Sequence, residues 1–171
     1  MPSTPPPTRA LCFGNRFAGD DGFGPAVCDA LHARTLPSSL EVVDAGLAGA
    51  GSAMLFEDCT RAVIVDGVRG WGSPGELFVI LPDEVAHDGA PASAHGLGLG
   101  HLLLTLPISL GEFPVPELVI VGMEIESTDF GAPLSPAIAR GVEDAAQRVL
   151  DAVARPGTLT EWALAHRETN P

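Results

Sequence analysis

The stretch Arg61-Ala62-Val63-Ile64-Val65-Asp66 is an uninterrupted apolar run that ends in a carboxylate. A strand with one solvent-exposed face alternates apolar and polar residues, whereas a continuous apolar run indicates a strand buried on both faces. Such strands are typical of parallel sheets covered by helices. Ligands of these sheets bind beyond the carboxyl ends of the strands. The run therefore predicts an α/β fold and makes Asp66 a candidate functional residue.

Four further strands and four helices are predicted around this run. The other strands are expected at 9–14, 40–45, 76–81 and 117–126, and the helices at 49–59, at 96–106, and from Phe23 and Pro136 onward. A polar connection is expected at 82–94 and a loop at 107–116. Strands interleaved with helices predict a three-layer α/β/α sandwich around a five-stranded sheet, mostly parallel or mixed. A strand order beginning 2-1-3 would place the ends of the first and third strands side by side.

The 171-residue chain is predicted to form a single α/β domain over residues 9–154. Residues 1–8 contain four prolines and are expected to be a disordered tail, and residues 155–171 are weakly patterned and are expected to be a C-terminal tail. No apolar run reaches the roughly 18 to 20 residues that a membrane span needs. We therefore expect a cytoplasmic protein with no membrane partner.

Charge and cysteine content exclude several classes of function. The chain has 9 basic and 22 acidic residues, a net charge of -13, and no lysine. Nucleic acid is not an expected partner, because binding phosphates requires a basic surface. Without lysine there is no Schiff-base or P-loop chemistry. Cys12, Cys28 and Cys59 are odd in number and widely spaced, and they are expected to be buried free thiols in a reducing compartment.

The loop between the first strand and the first helix carries two adjacent carboxylates. It spans residues 14–24 and contains Asp20 and Asp21. Neither G-x-G-x-x-G nor G-x-x-x-x-G-K-[ST] is present in this loop, and the two carboxylates would repel a phosphate. The loop therefore indicates a cation site.

Three potential metal ligands are expected at the same edge of the sheet: Asp21, Asp66 and His95. Two carboxylates and an imidazole suit nickel or zinc, and three protein ligands leave coordination positions open for chemistry. Each residue also has a structural interpretation. Asp21 could cap the first helix, Asp66 could be a polar strand terminus, and His95 could begin the third helix. The H-E-x-x-H and G-x-S-x-G motifs are absent, so neither a zincin nor an α/β-hydrolase site is predicted.

Several short motifs resemble those of the hydrogenase maturation proteases. They are Gly14-Asn15, Asp20-Asp21-Gly22-Phe23-Gly24, Val42-Val43-Asp44-Ala45-Gly46, Val63-Ile64-Val65-Asp66, Ser93-Ala94-His95-Gly96-Leu97, and Val119-Ile120-Val121-Gly122 with Glu126. The resemblance covers roughly residues 11–153 and implies an α/β/α sandwich. It implies an endopeptidase that removes the C-terminal extension of the [NiFe] hydrogenase large subunit precursor after nickel insertion.

The resemblance also implies roles for individual residues. Asp21, Asp66 and His95 correspond to the positions that contact the metal, and the nickel is expected to be carried by the precursor and not held permanently. Asp21 or Asp66 is the candidate catalytic base. Two rival hypotheses remain: a non-catalytic metal-binding assembly chaperone for the same partner, and a small-molecule hydrolase with a resident metal. The oligomeric state is left open, with a monomer expected.

Overall fold

The structure, a computed structural model, describes residues 7–48, 50–86 and 98–167. Within these residues, five strands form one sheet: β1 (Thr8–Phe13), β2 (Leu40–Gly46), β3 (Arg61–Val68), β4 (Leu77–Ile80) and β5 (Glu117–Glu124). The strand order is β2-β1-β3-β5-β4, and only β4 is antiparallel to its neighbour. The predicted α/β fold is confirmed, with a mixed sheet and the 2-1-3 arrangement that makes β1 and β3 neighbours.

The continuous apolar run of β3 is divided between two hydrophobic cores. Val63 and Val65 belong to one core, while Ala62 and Ile64 belong to the other. Successive side chains of a strand point to opposite faces, so a strand covered on both sides needs apolar residues at every position. The uninterrupted run of residues 62–65 therefore follows directly from the central position of β3.

Helices cover both faces of the sheet. The first core contains side chains of α1 (Phe23–His32), α4 (Pro136–Ala154) and α5 (Leu159–His166). The second contains side chains of α3 (Gly98–Ser109) and of a 3-10 helix, Ala50–Phe56, while the short α2 (Pro82–Ala86) contacts α3. These layers form the predicted α/β/α sandwich. None of the described helices is both long and apolar enough to span a membrane.

Helix boundaries differ from the prediction at three places. The helix expected at 49–59 is a 3-10 helix, and the connection expected at 82–94 begins with α2. Helix α3 runs through Pro107 into the predicted loop. Proline normally ends a helix. Here Leu106 and Leu110 are buried on either side of it, and the Leu110 N–H donates to the Leu106 carbonyl at 2.9 Å. Burial of these leucines holds the last turn in place.

The chain termini also differ from the predicted tails. Strand β1 begins at Thr8, inside the predicted N-terminal tail, and α5 lies inside the tail predicted from residue 155. Thr158 and Glu161 form a capping box at the start of α5, and Trp162 is almost fully buried in the first core. The capping sequence was a usable signal, but eight residues give too few turns for a clear apolar period. Residues 1–6 and 168–171 lie outside the described residues.

The three cysteines are free and buried, as predicted. A hydrogen bond with Cys28, together with burial, raises the pKa of the Cys12 thiol well above its ordinary value. Cys12 is therefore a neutral thiol in the core, and nucleophilic catalysis by this residue is not expected.

Candidate active site

Asp21 lies in a tight turn at the carboxyl end of β1. The chain leaves β1 at Gly14, with φ near 140°, and turns back so closely that a Cβ on Gly14 would lie 2.1 Å from the Asp21 carbonyl oxygen. The Asn15 N–H donates to Asp21 Oδ2 at 2.8 Å, and the residue is only 3% exposed. Helix α1 begins after Gly22 without a side-chain cap. Asp21 is therefore not the N-cap residue of α1, and it is buried at the carboxyl edge of the sheet.

Asp66 lies within β3, next to the same turn. It is opposite Gly122 of β5 and one residue beyond Val65, whose partner in β1 is Cys12. Its side chain is fully buried, and the 3-10 turn Gly19–Gly22 that carries Asp21 contacts β3. Strand β3 continues to Val68, so Asp66 is not a strand terminus. The fold brings Asp21 and Asp66 to one edge of the sheet, as predicted from the ends of β1 and β3.

The third predicted ligand, His95, lies outside the described residues. Its position in the sequence is three residues before Gly98, where α3 begins. By strand alternation Asp66 shares the face of Ile64 and Val68, which belong to the core beneath α3. Among the described parts of the chain, no three His, Cys, Asp or Glu side chains gather as a metal site. The set of Asp21, Asp66 and His95 stays a prediction.

The two carboxylates are chemically suited to a cation. Both carboxylates are buried, and a bound cation would offset the cost of burying their negative charge. Carboxylate oxygens and an imidazole nitrogen are acceptable ligands for nickel. The donor set therefore fits a divalent metal that other ligands complete.

Asp20, the neighbour of the candidate ligand Asp21, has a structural role. Its Oδ1 accepts the Ser135 N–H at 2.7 Å, and its Oδ2 accepts the N–H groups of Ser127 and Glu126 at 3.1 and 3.2 Å. Burial by itself raises the pKa of Asp20, but these backbone donors outweigh burial and hold the pKa below its ordinary value. Asp20 therefore fixes the connection between β5 and α4 to the turn that carries Asp21.

Glu124 is a further buried carboxylate, and sequence reasoning missed it. Its oxygens accept the N–H groups of Gly70 and Trp71, both at 2.8 Å, and of Gly72 at 3.2 Å. It fixes the loop that follows β3. The available signal was a carboxylate that closes an apolar strand, the same signal that identified Asp66.

Two cavities lined by described residues lie away from the carboxylates. One, of about 380 Å³, lies beside β4 and α4 and is lined in part by Phe78 and Asp144. The other, of about 510 Å³, is lined in part by Leu103 and Leu118. Neither is lined by Asp21 or Asp66, so the carboxylate edge is a separate feature.

Solved structures with a similar fold include endopeptidases. The hydrogenase maturating endopeptidase HybD from Escherichia coli superposes with a TM-score of 0.71 at 28% identity, and the match covers 85% of this chain and 91% of that one. This match groups the chain with endopeptidases of this fold.

Sequence comparison defines the family. The model of the hydrogenase maturation protease family (HycI) matches residues 25–152, a range that contains Asp66 and His95 and begins just after the turn of Asp21. The hydrogenase 2 maturation protease of E. coli strain K12 is 31% identical over 150 residues, which cover 86% of this chain and 90% of the relative. The hydrogenase 3 maturation protease of the same strain is 29% identical over 141 residues, covering 81% and 86% respectively. The chain belongs to the hydrogenase maturation proteases and is a peptidase.

Proposed function

We propose that this peptidase removes the C-terminal extension of a [NiFe] hydrogenase large subunit precursor after nickel has been inserted. The observation that carries the proposal is the pair of buried carboxylates, Asp21 and Asp66, at one edge of a family-typical fold. Membership in the family supports the substrate class. Three buried free cysteines suit a reducing cytoplasm as the site of this reaction.

In this proposal the nickel belongs to the substrate. Asp21, Asp66 and His95 supply oxygen and nitrogen ligands to an ion whose other ligands come from the precursor. Three protein ligands alone bind a free nickel ion weakly, but they can complete the coordination of a nickel ion that the precursor already holds. Cleavage therefore waits until the metal is in place.

One of the two carboxylates also acts as the general base for hydrolysis of the peptide bond. Either Asp21 or Asp66 accepts a proton from the attacking water, while the bound nickel fixes the position of the precursor near the peptide bond to be cut. Proton transfer to a positioned carboxylate contributes roughly 100- to 10,000-fold to a rate. Burial at the sheet edge keeps both groups oriented.

Intact-mass measurement on the precursor tests this function. The wild-type protein is incubated with nickel-loaded and with nickel-free precursor, and we expect loss of a C-terminal peptide only from the nickel-loaded form. Zinc-loaded precursor is the control for a general metal effect.

Three other results would contradict the proposal. A stable complex of unchanged mass would indicate an assembly chaperone. Equal cleavage of the nickel-loaded and nickel-free precursor would show that cleavage does not depend on nickel. Stoichiometric metal retained by the purified protein without precursor would indicate a resident cofactor.

A further inference from the structure

Two phenylalanines stand exposed beside the candidate site. Phe17 is 65% exposed and Phe130 is 83% exposed. Phe17 lies in the β1–α1 loop just before Asp21, and Phe130 lies in the connection that follows β5. Both segments leave the sheet at the carboxyl ends of parallel strands. The two aromatic side chains are therefore at the same edge of the sheet as the carboxylates.

Backbone hydrogen bonding joins the two loops into one unit. Ala18 and Phe130 form an isolated antiparallel bridge, and the Gly131 N–H donates to the Phe17 carbonyl at 2.7 Å. We refer to Phe17, Phe130 and this linked backbone as the phenylalanine platform. Because the loops are linked, the backbones that carry the two phenylalanines keep a fixed relation to each other.

Asp20 anchors the phenylalanine platform to the domain. Its carboxylate accepts backbone N–H groups before and after Phe130, from Ser127 and Ser135, and its own N–H donates to the Ser127 carbonyl at 2.8 Å. Aromatic side chains on a fixed backbone lose little conformational freedom when a partner binds. Exposed and preorganised aromatics are characteristic of interface anchors.

The surroundings of the platform are acidic. Glu126 and Asp129 are exposed and, within the described residues, form no ion pair. Arg16 is the neighbouring cation, and it already pairs with Asp29 at 2.6 Å and with Asp44 at 3.1 Å. The excess negative charge complements a basic partner segment.

We infer that the phenylalanine platform is a docking site for a segment of the precursor that carries apolar side chains flanked by basic residues. The inference rests on the proposed function, because it identifies the partner as the large subunit precursor. Docking on Phe17 and Phe130 places that partner next to Asp21. The platform adds binding energy that is independent of the nickel.

Binding of nickel-free precursor tests the inference, because the wild-type protein is not expected to cleave that form. Phe17→Ser and Phe130→Ser should each raise the dissociation constant about tenfold, the effect of losing an interface anchor. Thermal melts should stay unchanged, since both side chains are exposed. Phe113→Ser is the matched control: Phe113 is 42% exposed in the loop before β5, at the opposite edge of the sheet. Asp129→Asn should reduce the salt dependence of association.

Wild-type affinity in both platform variants would overturn the inference and leave the proposed function standing. Absence of measurable wild-type binding to nickel-free precursor would also overturn it. A wild-type dimer that becomes monomeric in Phe130→Ser would show that a second copy occupies the platform, which contradicts docking of the precursor. Failure of the wild type to cleave nickel-loaded precursor would reject the proposed function separately.

Discussion

Asp66→Asn is expected to lower the rate of precursor cleavage at least about 100-fold, the lower range for loss of a catalytic base. Asparagine has nearly the same shape, but it neither accepts a proton at neutral pH nor provides an anionic metal ligand. Asp66 is fully buried in β3, and an uncharged side chain of the same shape avoids the free-energy cost of burying a charged carboxylate. The melting temperature should therefore stay close to that of the wild type. The time course of intact mass with nickel-loaded precursor measures the effect.

Asp21→Asn should behave similarly, because Asp21 lies at the same edge and is also buried. Asp58→Asn is a matched control: Asp58 is exposed, precedes β3 at the opposite edge, and has a positive φ of 56° that asparagine tolerates. It should cleave at the wild-type rate. Full activity in a normally folded Asp66→Asn variant would remove Asp66 from the mechanism.

Asp20→Ala is expected to destabilise the fold by about 3 kcal/mol or more, because it leaves three backbone N–H groups without their acceptor. For a domain of this size that corresponds to a fall in melting temperature of about 6–12 °C. Calorimetry or chemical denaturation measures the loss. Asp129→Ala, which removes an exposed carboxylate from the same connection, is the control and should change stability little.

The effect of Asp20→Ala should depend on pH in a defined direction. Backbone donors hold the folded-state pKa of Asp20 below its ordinary value. The stabilisation is therefore complete above the unfolded pKa of about 3.9 and is lost as pH falls through the lower folded value. The difference in unfolding free energy between wild type and variant should narrow below about pH 4. A difference that stays constant from pH 7 to pH 3 would contradict the assigned hydrogen bonds.

The sequence predicted those features that depend on periodicity. The continuous run of β3 predicted a strand between two layers because each face needs its own apolar residues. The carboxylate that follows this run, together with Asp21 in the β1–α1 loop, predicted a shared edge. The topology confirms that β1 and β3 adjoin.

Features that depend on tertiary contacts were not predictable in this way. Asp20 and Asp21 are adjacent and chemically identical, and only the position of the connection after β5 makes Asp20 a structural anchor. Helix α5 has too few residues for a clear period and is held by Trp162 in the core. The packing of Trp162 and the donors around Asp20 come from distant parts of the chain.

The proposed function requires Asp21, Asp66 and His95 to contact nickel that is carried by the precursor. Nickel K-edge X-ray absorption on nickel-loaded precursor, freeze-quenched with the wild-type protein before cleavage, measures this contact directly. We expect added oxygen and nitrogen scatterers at about 2 Å, the usual distance for such ligands, with fewer of them when His95→Ala replaces the wild type. Identical nickel coordination with and without the peptidase, while cleavage proceeds, would contradict it.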